Sequence, residues 1–128
     1  MTLRRDQNIQ LKQGDYKQMK FTTFNRLGQR VSLNTGTMQA NYQVRSSERG
    51  KTAYITKSLG DGITFDPVQT TGSTTQGVFY ITIDPADTLS GTANHLEGPL
   101  YHEGNIIENG LPNIVFDGEF EVLVSVVQ

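Results

Sequence analysis

Among the residues able to do chemistry, His95, Glu97, His102 and Glu103 stand closest together. Two imidazoles and two carboxylates could hold a transition metal, and a metal-dependent enzyme would need them to converge. Their spacing matches no rigid metal motif, and a third strong ligand would have to come from elsewhere. They read instead as surface histidines on a loop, and no metal or cofactor is expected. Asp61, Asp66, Asp84 and Asp87 are donors of the kind calcium loops use, but the order Asp-x-Asp-x-Asp-Gly is missing. Asp-Gly and Asp-Pro are ordinary turn chemistry. The stretch "GDGITF" is not followed by Gly-Lys-Ser/Thr and opens no helix, so it is no phosphate loop. Gly-x-Ser-x-Gly is absent, and no Ser/His/Asp arrangement can be recognised. The chain contains no cysteine, which excludes disulfides and thiolate metal sites. It is read as a protein without catalytic activity.

What must position these residues is a single domain of 128 residues, of which 35% are hydrophobic and 19% charged. Gly, Thr, Gln, Asn and Ser supply most of the rest, a composition of strands and turns rather than of helical bundles. Net charge is -2, so the chain as a whole is not drawn to nucleic acid or anionic membrane. No apolar run approaches the roughly 20 residues that a bilayer requires. The start, "MTLRRDQNIQLK", has a basic pair without an apolar run after it and is not a secretory signal. Arg4, Arg5, Lys12, Lys17 and Lys20 make the beginning basic while the remainder is acidic. Residues 1–10 are expected to be a flexible N-terminal arm that orders against a neighbour, and residues 11–128 the folded domain.

Strand signals recur with turns between them. "TMQANYQVR" alternates strictly, with Met38, Ala40, Tyr42 and Val44 on one side and Gln39, Asn41, Gln43 and Arg45 on the other. "VFYITIDP" places Phe79, Ile81 and Ile83 together, and the closing stretch does the same for Phe120, Val122, Val124 and Val126. Leu27-Gly28-Gln29 reads as a turn. "PADTLSG" could form one helical turn, with Asp84 as cap and Pro85 at the first position. No segment sustains a 3.6-residue period. The expected fold is all-β, an antiparallel sandwich whose apolar faces meet at about 10 Å. Ser90 to Asn113 alternates weakly. A strand near Leu100 to Ile107, interrupted by a bulge at Gly104, is expected within an extended hairpin tip.

Taken in order, the turns and strands resemble the immunoglobulin-like domain of tailed-phage structural proteins, similar to the N-terminal domain of phage baseplate upper proteins. Gln13-Gly14-Asp15 is similar to the family's opening. Gly28-Gln29-Arg30-Val31-Ser32-Leu33-Asn34-Thr35-Gly36 resembles its G-x-x-V-D-L-T-G segment, with Ser32 where Asp is usual. Gln43-Val44-Arg45 resembles the strand end that follows. "GVFYITIDPADTLSG" and "YHEGNIIENGLPNIVFDGEFEVLVSV" are similar to the later strands and last hairpin. The departures are Ser32, the insertion around Ser90 to Gly98, and Gly104. The likeness spans nearly the whole chain through short, degenerate motifs.

The resemblance implies an Ig-like β-sandwich serving as a non-enzymatic virion component assembled in a host cytoplasm. Tail, baseplate, neck and capsid decoration are the positions it allows. The expected partners are other virion proteins in symmetric multi-copy assembly, without direct contact to nucleic acid or membrane. Arg4, Arg5, Leu96, Leu100, Tyr101, Ile106 and Ile107 are the expected partner-binding residues. The alternative is a carbohydrate- or host-surface-binding module that would stack a glycan on Tyr16, Tyr54, Tyr80 or Tyr101.

Overall fold

Side chains point to opposite faces along a strand, so the alternation from Met38 to Arg45 demands an inside and an outside. The computed structural model describes residues 3–50, 52–89 and 98–123. In it Met38, Ala40, Tyr42 and Val44 are all buried, and the residues between them face outward. Phe79, Ile81, Ile83, Phe120 and Val122 are buried as their alternation requires. Val124 and Val126 lie outside the described residues.

The strands are β1 (Ile9–Lys12), β2 (Lys17–Thr22), β3 (Met38–Arg45), β4 (Ala53–Leu59), β5 (Gly62–Phe65), β6 (Val78–Ile83), β7 (Gly98–Glu108) and β8 (Leu111–Leu123). The short helix α1 (Pro85–Leu89) stands between β6 and β7. Its Asp87 carboxylate accepts a bond from the Asp84 backbone N–H at 2.7 Å, closing the first turn with Pro85 inside it. Lys57 Nζ on β4 reaches the same carboxylate at 2.8 Å and fastens the helix to the sheet.

All eight strands belong to one sheet in the order β1-β8-β7-β3-β4-β5-β6-β2. β1 and β2 follow each other in the chain across a short turn yet sit at opposite ends of that order. The sheet therefore curls until it is nearly closed as a barrel. Antiparallel pairing throughout was expected; the β1–β8 and β4–β5 pairings are parallel instead. The β4–β5 join is narrow, with only Ser58 opposite Gly62 and Leu59 opposite Ile63.

Enclosing the core brings Met19, Ile63, Phe79 and Ile81 toward Tyr42, Ile106, Phe116 and Phe120. Phe21 stacks on Phe116 with ring centroids 3.8 Å apart. Each large apolar side chain buried there contributes about 1.5–3 kcal/mol, so the two alternating faces dominate the stability.

β7 covers the expected Leu100 to Ile107 strand, and its register against β8 shifts between Gly104 and Asn105, the bulge foreseen there. Asn109 and Gly110 join β7 to β8 with φ of 53° and 76°, the mirror-image turn that suits a twisted hairpin. The expected free arm is corrected. Residues 3–10 run beside β8: Arg4 N–H donates to Val115 O at 3.1 Å, and Gln7 N–H donates to Asp117 O at 2.9 Å. The segment binds because β8 offers a row of backbone groups that would otherwise lack partners.

Candidate protein-interaction face

The outward residues of β3 are carried across the sheet by register. On β7, Ile107 lies beside Gln39, Asn105 beside Asn41, Glu103 beside Gln43, and Tyr101 beside Arg45. On β8, Pro112 lies beside Ile107, Ile114 beside Asn105, and Asp117 beside Glu103. One face thus changes character along its length, from charges through amides to apolar groups.

At the charged end Arg45, Glu103, Tyr101, Asp117 and Arg5 engage one another, while Glu119, opposite Tyr101, is exposed. Arg45 Nη2 meets Glu103 Oε1 at 2.9 Å, and its guanidinium lies 5.4 Å from the Tyr101 ring centroid. The Tyr101 hydroxyl donates to Glu103 Oε2 at 2.9 Å. It also lies 3.3 Å from Asp117 Oδ2, and one proton cannot serve both acceptors fully, so the nearer carboxylate holds it. Arg5 Nη1 stands 3.3 Å from the same Asp117 oxygen. Burial, followed by the bond to Glu103 and the neighbouring carboxylates, pushes the Tyr101 phenol far above its ordinary range. It stays a neutral donor rather than a nucleophile.

In the middle, Gln39, Asn41, Gln43 and Asn105 present neutral amides. Asn105 Oδ1 is enclosed and has no hydrogen-bond partner among the described residues. At the far end Ile114 (42% exposed) stands with Pro112 and the half-buried Ile107 on this face, while the exposed Leu111, opposite Glu108 and in line with Met38, projects from the other side of the hairpin. On that other side Val31, Glu108, Asn109, Leu111 and Asn113 line a shallow depression of ≈ 340 Å³. Contiguous apolar side chains on a surface mark contact sites, and Ile107, Pro112 and Ile114 are neighbours by register.

Of the expected partner-binding residues, Arg5, Tyr101 and Ile107 belong to this face. Arg4 is exposed, with its guanidinium 5.5 Å from the Phe24 ring centroid. Leu100 and Ile106 are corrected: both are buried in the core and cannot anchor a partner. Their parity along β7 points them inward, opposite to Tyr101 and Ile107. Leu96 lies outside the described residues.

The same parity corrects the reading of His102 as a surface histidine. It shares the inward side with Leu100 and Ile106 and has no exposed surface. Glu103 faces outward, so these two neighbours cannot bind one ion. His95 and Glu97 lie outside the described residues. Among the described residues no group of three His, Asp or Glu side chains converges at metal distances.

The tyrosines proposed as a stacking platform are dispersed. Tyr16 is exposed on the β1–β2 turn, Tyr54 packs against the core, and Tyr80 on β6 donates to Asp66 Oδ2 at 2.6 Å. β6 and β7 are not neighbours in the sheet, so Tyr80 and Tyr101 share no face.

No family model matches the chain, and no curated protein matches it significantly. Among the described residues no helix is long and apolar enough to cross a membrane.

Proposed function

We propose that the chain is a non-enzymatic structural protein of a tailed-phage virion, built as an Ig-like sandwich, which binds other virion proteins through the outer face of β3, β7 and β8. The order of short motifs along the chain supports the family. The strand order supports the finer fold. Parted at the narrow β4–β5 join, it gives one group β1-β8-β7-β3-β4 and another β5-β6-β2. Immunoglobulin domains divide their strands in this manner, with the C, F and G strands in one sheet and B, E and D in the other. Tyr42 then occupies the core of the third strand, where such domains carry a large aromatic residue.

The observation that carries the binding role is the face itself. Arg45, Glu103, Asp117 and Arg5 are already paired, while the Gln39, Asn41 and Gln43 amides and the apolar Ile114 reach solvent. A partner can cover this amide and apolar part without desolvating an unpaired charge, and the amides can bond to it directly.

The test is incorporation into particles. Ile114→Asp, and separately Asn41→Arg combined with Gln43→Arg, should leave the domain folded and exclude it from virions. Incorporation of both variants at wild-type occupancy would remove this face from consideration. Absence of the wild-type protein from purified particles would overturn the virion reading itself.

A further inference from the structure

Residues 3–8 lie along β8 without entering the core, and none of their side chains is buried. Their hold on the sheet is polar. The Asp117 N–H donates to Arg4 O at 3.0 Å, and Asp117 O accepts from the Gln7 N–H at 2.9 Å. The Glu119 N–H donates to Asn8 Oδ1 at 2.8 Å, and Arg5 pairs with the Asp117 carboxylate. Gly118 leaves the room, since a Cβ there would strike the Gln7 backbone. His102 stands opposite Gly118 in the register, and its Nε2 lies 2.6 Å from Gln7 O. A segment held by hydrogen bonds with little apolar burial belongs to the part of a fold that opens first. The layer beneath it is different: Tyr42, His102, Phe116 and Phe120 are enclosed and pack ring against ring.

The imidazole joins the two layers. Neutral, it needs one acceptor and one donor, and it has the Gln7 carbonyl and the Tyr42 hydroxyl. Protonated, it donates from both nitrogens. The Tyr42 oxygen can accept the new bond, but the hydroxyl's own hydrogen then has no acceptor among the described residues. The charge would also lie without water. Facing the ring are Tyr42 from β3, the Gln7 backbone from the N-terminal segment, and Asp117, Phe116 and Phe120 from β8. Asp117 is the one charge that favours the protonated ring, and its effect is smaller than that of burial. Asp87 on α1 acts on Tyr42 instead, and Glu103 on the same strand faces outward. Water can reach the ring most simply if the segment over Nε2 lifts away. We propose that residues 3–8 are an acid-released strap, which leaves β8 when His102 takes up a proton while the rest of the sheet stays closed. The ring regains its ordinary proton affinity once uncovered, so the strap is firm above the ordinary 6.5 and loosens as pH falls below it. Release bares the backbone of Val115, Asp117 and Glu119, an edge to which an extended strand can bond. The inference is independent of the virion role, since it concerns the free protein in solution.

The experiment is amide hydrogen exchange followed by NMR from about pH 7.5 down to about pH 5, with protection corrected for the intrinsic exchange rate at each pH. In wild type the Arg4, Gln7 and Asp117 amides should lose protection about tenfold, while the amides of β3 and β6 keep theirs. The ring nitrogens of His102 should titrate over the same range. His102→Gln can still donate to the Gln7 carbonyl but takes up no proton, so its strap should stay equally protected throughout. Loss of protection in strap and core together would make the opening global and overturn the proposal. So would a wild-type strap that keeps its protection in acid, or a His102→Gln strap that loses it as wild type does. If His102→Gln fails to fold, the wild-type contrast between strap and core, matched against the His102 titration, decides alone.

Discussion

The Tyr42 hydroxyl lies 2.9 Å from Nδ1 of His102, and neither residue has any exposed surface. The other ring nitrogen, Nε2, lies 2.6 Å from the carbonyl oxygen of Gln7, which can only accept. Nε2 therefore carries the proton, and Nδ1 accepts from Tyr42. The neutral imidazole is satisfied on both sides and ties β3, β7 and the N-terminal segment together. Its role is structural, although a histidine is the residue most readily suspected of chemistry.

Stability should fall with acidity in a defined window. Burial, the dominant influence, lowers the His102 pKa below its ordinary 6.5, against the smaller opposing effects of the Gln7 carbonyl and Asp117. The unfolded chain thus takes up this proton at higher pH than the folded one. The folded state keeps its full advantage above the ordinary value and loses it progressively as pH drops below it. Urea midpoints measured from about pH 7.5 down to about pH 5 should decline in wild type and stay flatter in His102→Gln. Equal slopes would place the titrating group elsewhere.

Tyr42→Phe should cost about 1–3 kcal/mol, because it strips Nδ1 of its donor while leaving the nitrogen buried. Urea unfolding with an unchanged m-value checks this. A variant as stable as wild type would mean that water or another donor replaces the hydroxyl.

Gly104→Ala tests the bulge. A Cβ at that position would overlap the Phe116 ring, itself buried and stacked on Phe21. Overpacking of this kind costs typically about 1–3 kcal/mol, read as a drop in thermal midpoint. A neutral effect would show that Phe116 has room to turn.

Deletion of residues 1–8 should destabilise the domain rather than merely free it of a tail. It removes the Gln7 carbonyl from His102 and exposes the backbone of Asp117, which both donates to Arg4 and accepts from Gln7. Gly118 records how close the segment lies, since a Cβ there would come within 2.6 Å of the Gln7 backbone. Chemical denaturation of the truncated chain is the measurement, and an unaltered midpoint would restore these residues to a free arm.

Val122→Asp should unfold the protein. Val122 is 4% exposed on the inner face of β8, and an unpaired carboxylate there costs several kcal/mol, comparable with the whole stability of about 5–15 kcal/mol. Retention of the wild-type circular dichroism spectrum and melt would show that the face is not enclosed.

The class of fold and most of the core were decided by local alternation. Met38, Ala40, Tyr42 and Val44 must share a face wherever the strand goes, and so must Phe79, Ile81 and Ile83, because strand geometry repeats every two residues. The helical turn at Pro85 and the bulge at Gly104 were legible for the same local reason. Two further signals lay in the sequence and went unused. The parity of Leu100, His102, Gly104 and Ile106 points His102 inward, and Asn109-Gly110 between two strands marks a tight hairpin.

Pairing was beyond the sequence. Nothing local says that β1 will lie parallel to β8, more than a hundred residues away (Ile9 opposite Phe120), or that β4 will touch β5 and join two groups of strands into one sheet. Those choices follow from which backbone rows remain unpaired once the core has closed, a property of the whole chain. The same holds for the outer face of β3, β7 and β8. Arg45, Glu103, Asp117 and Arg5 are an ordinary scatter of charges along the chain, and only cross-strand register brings them into mutual satisfaction.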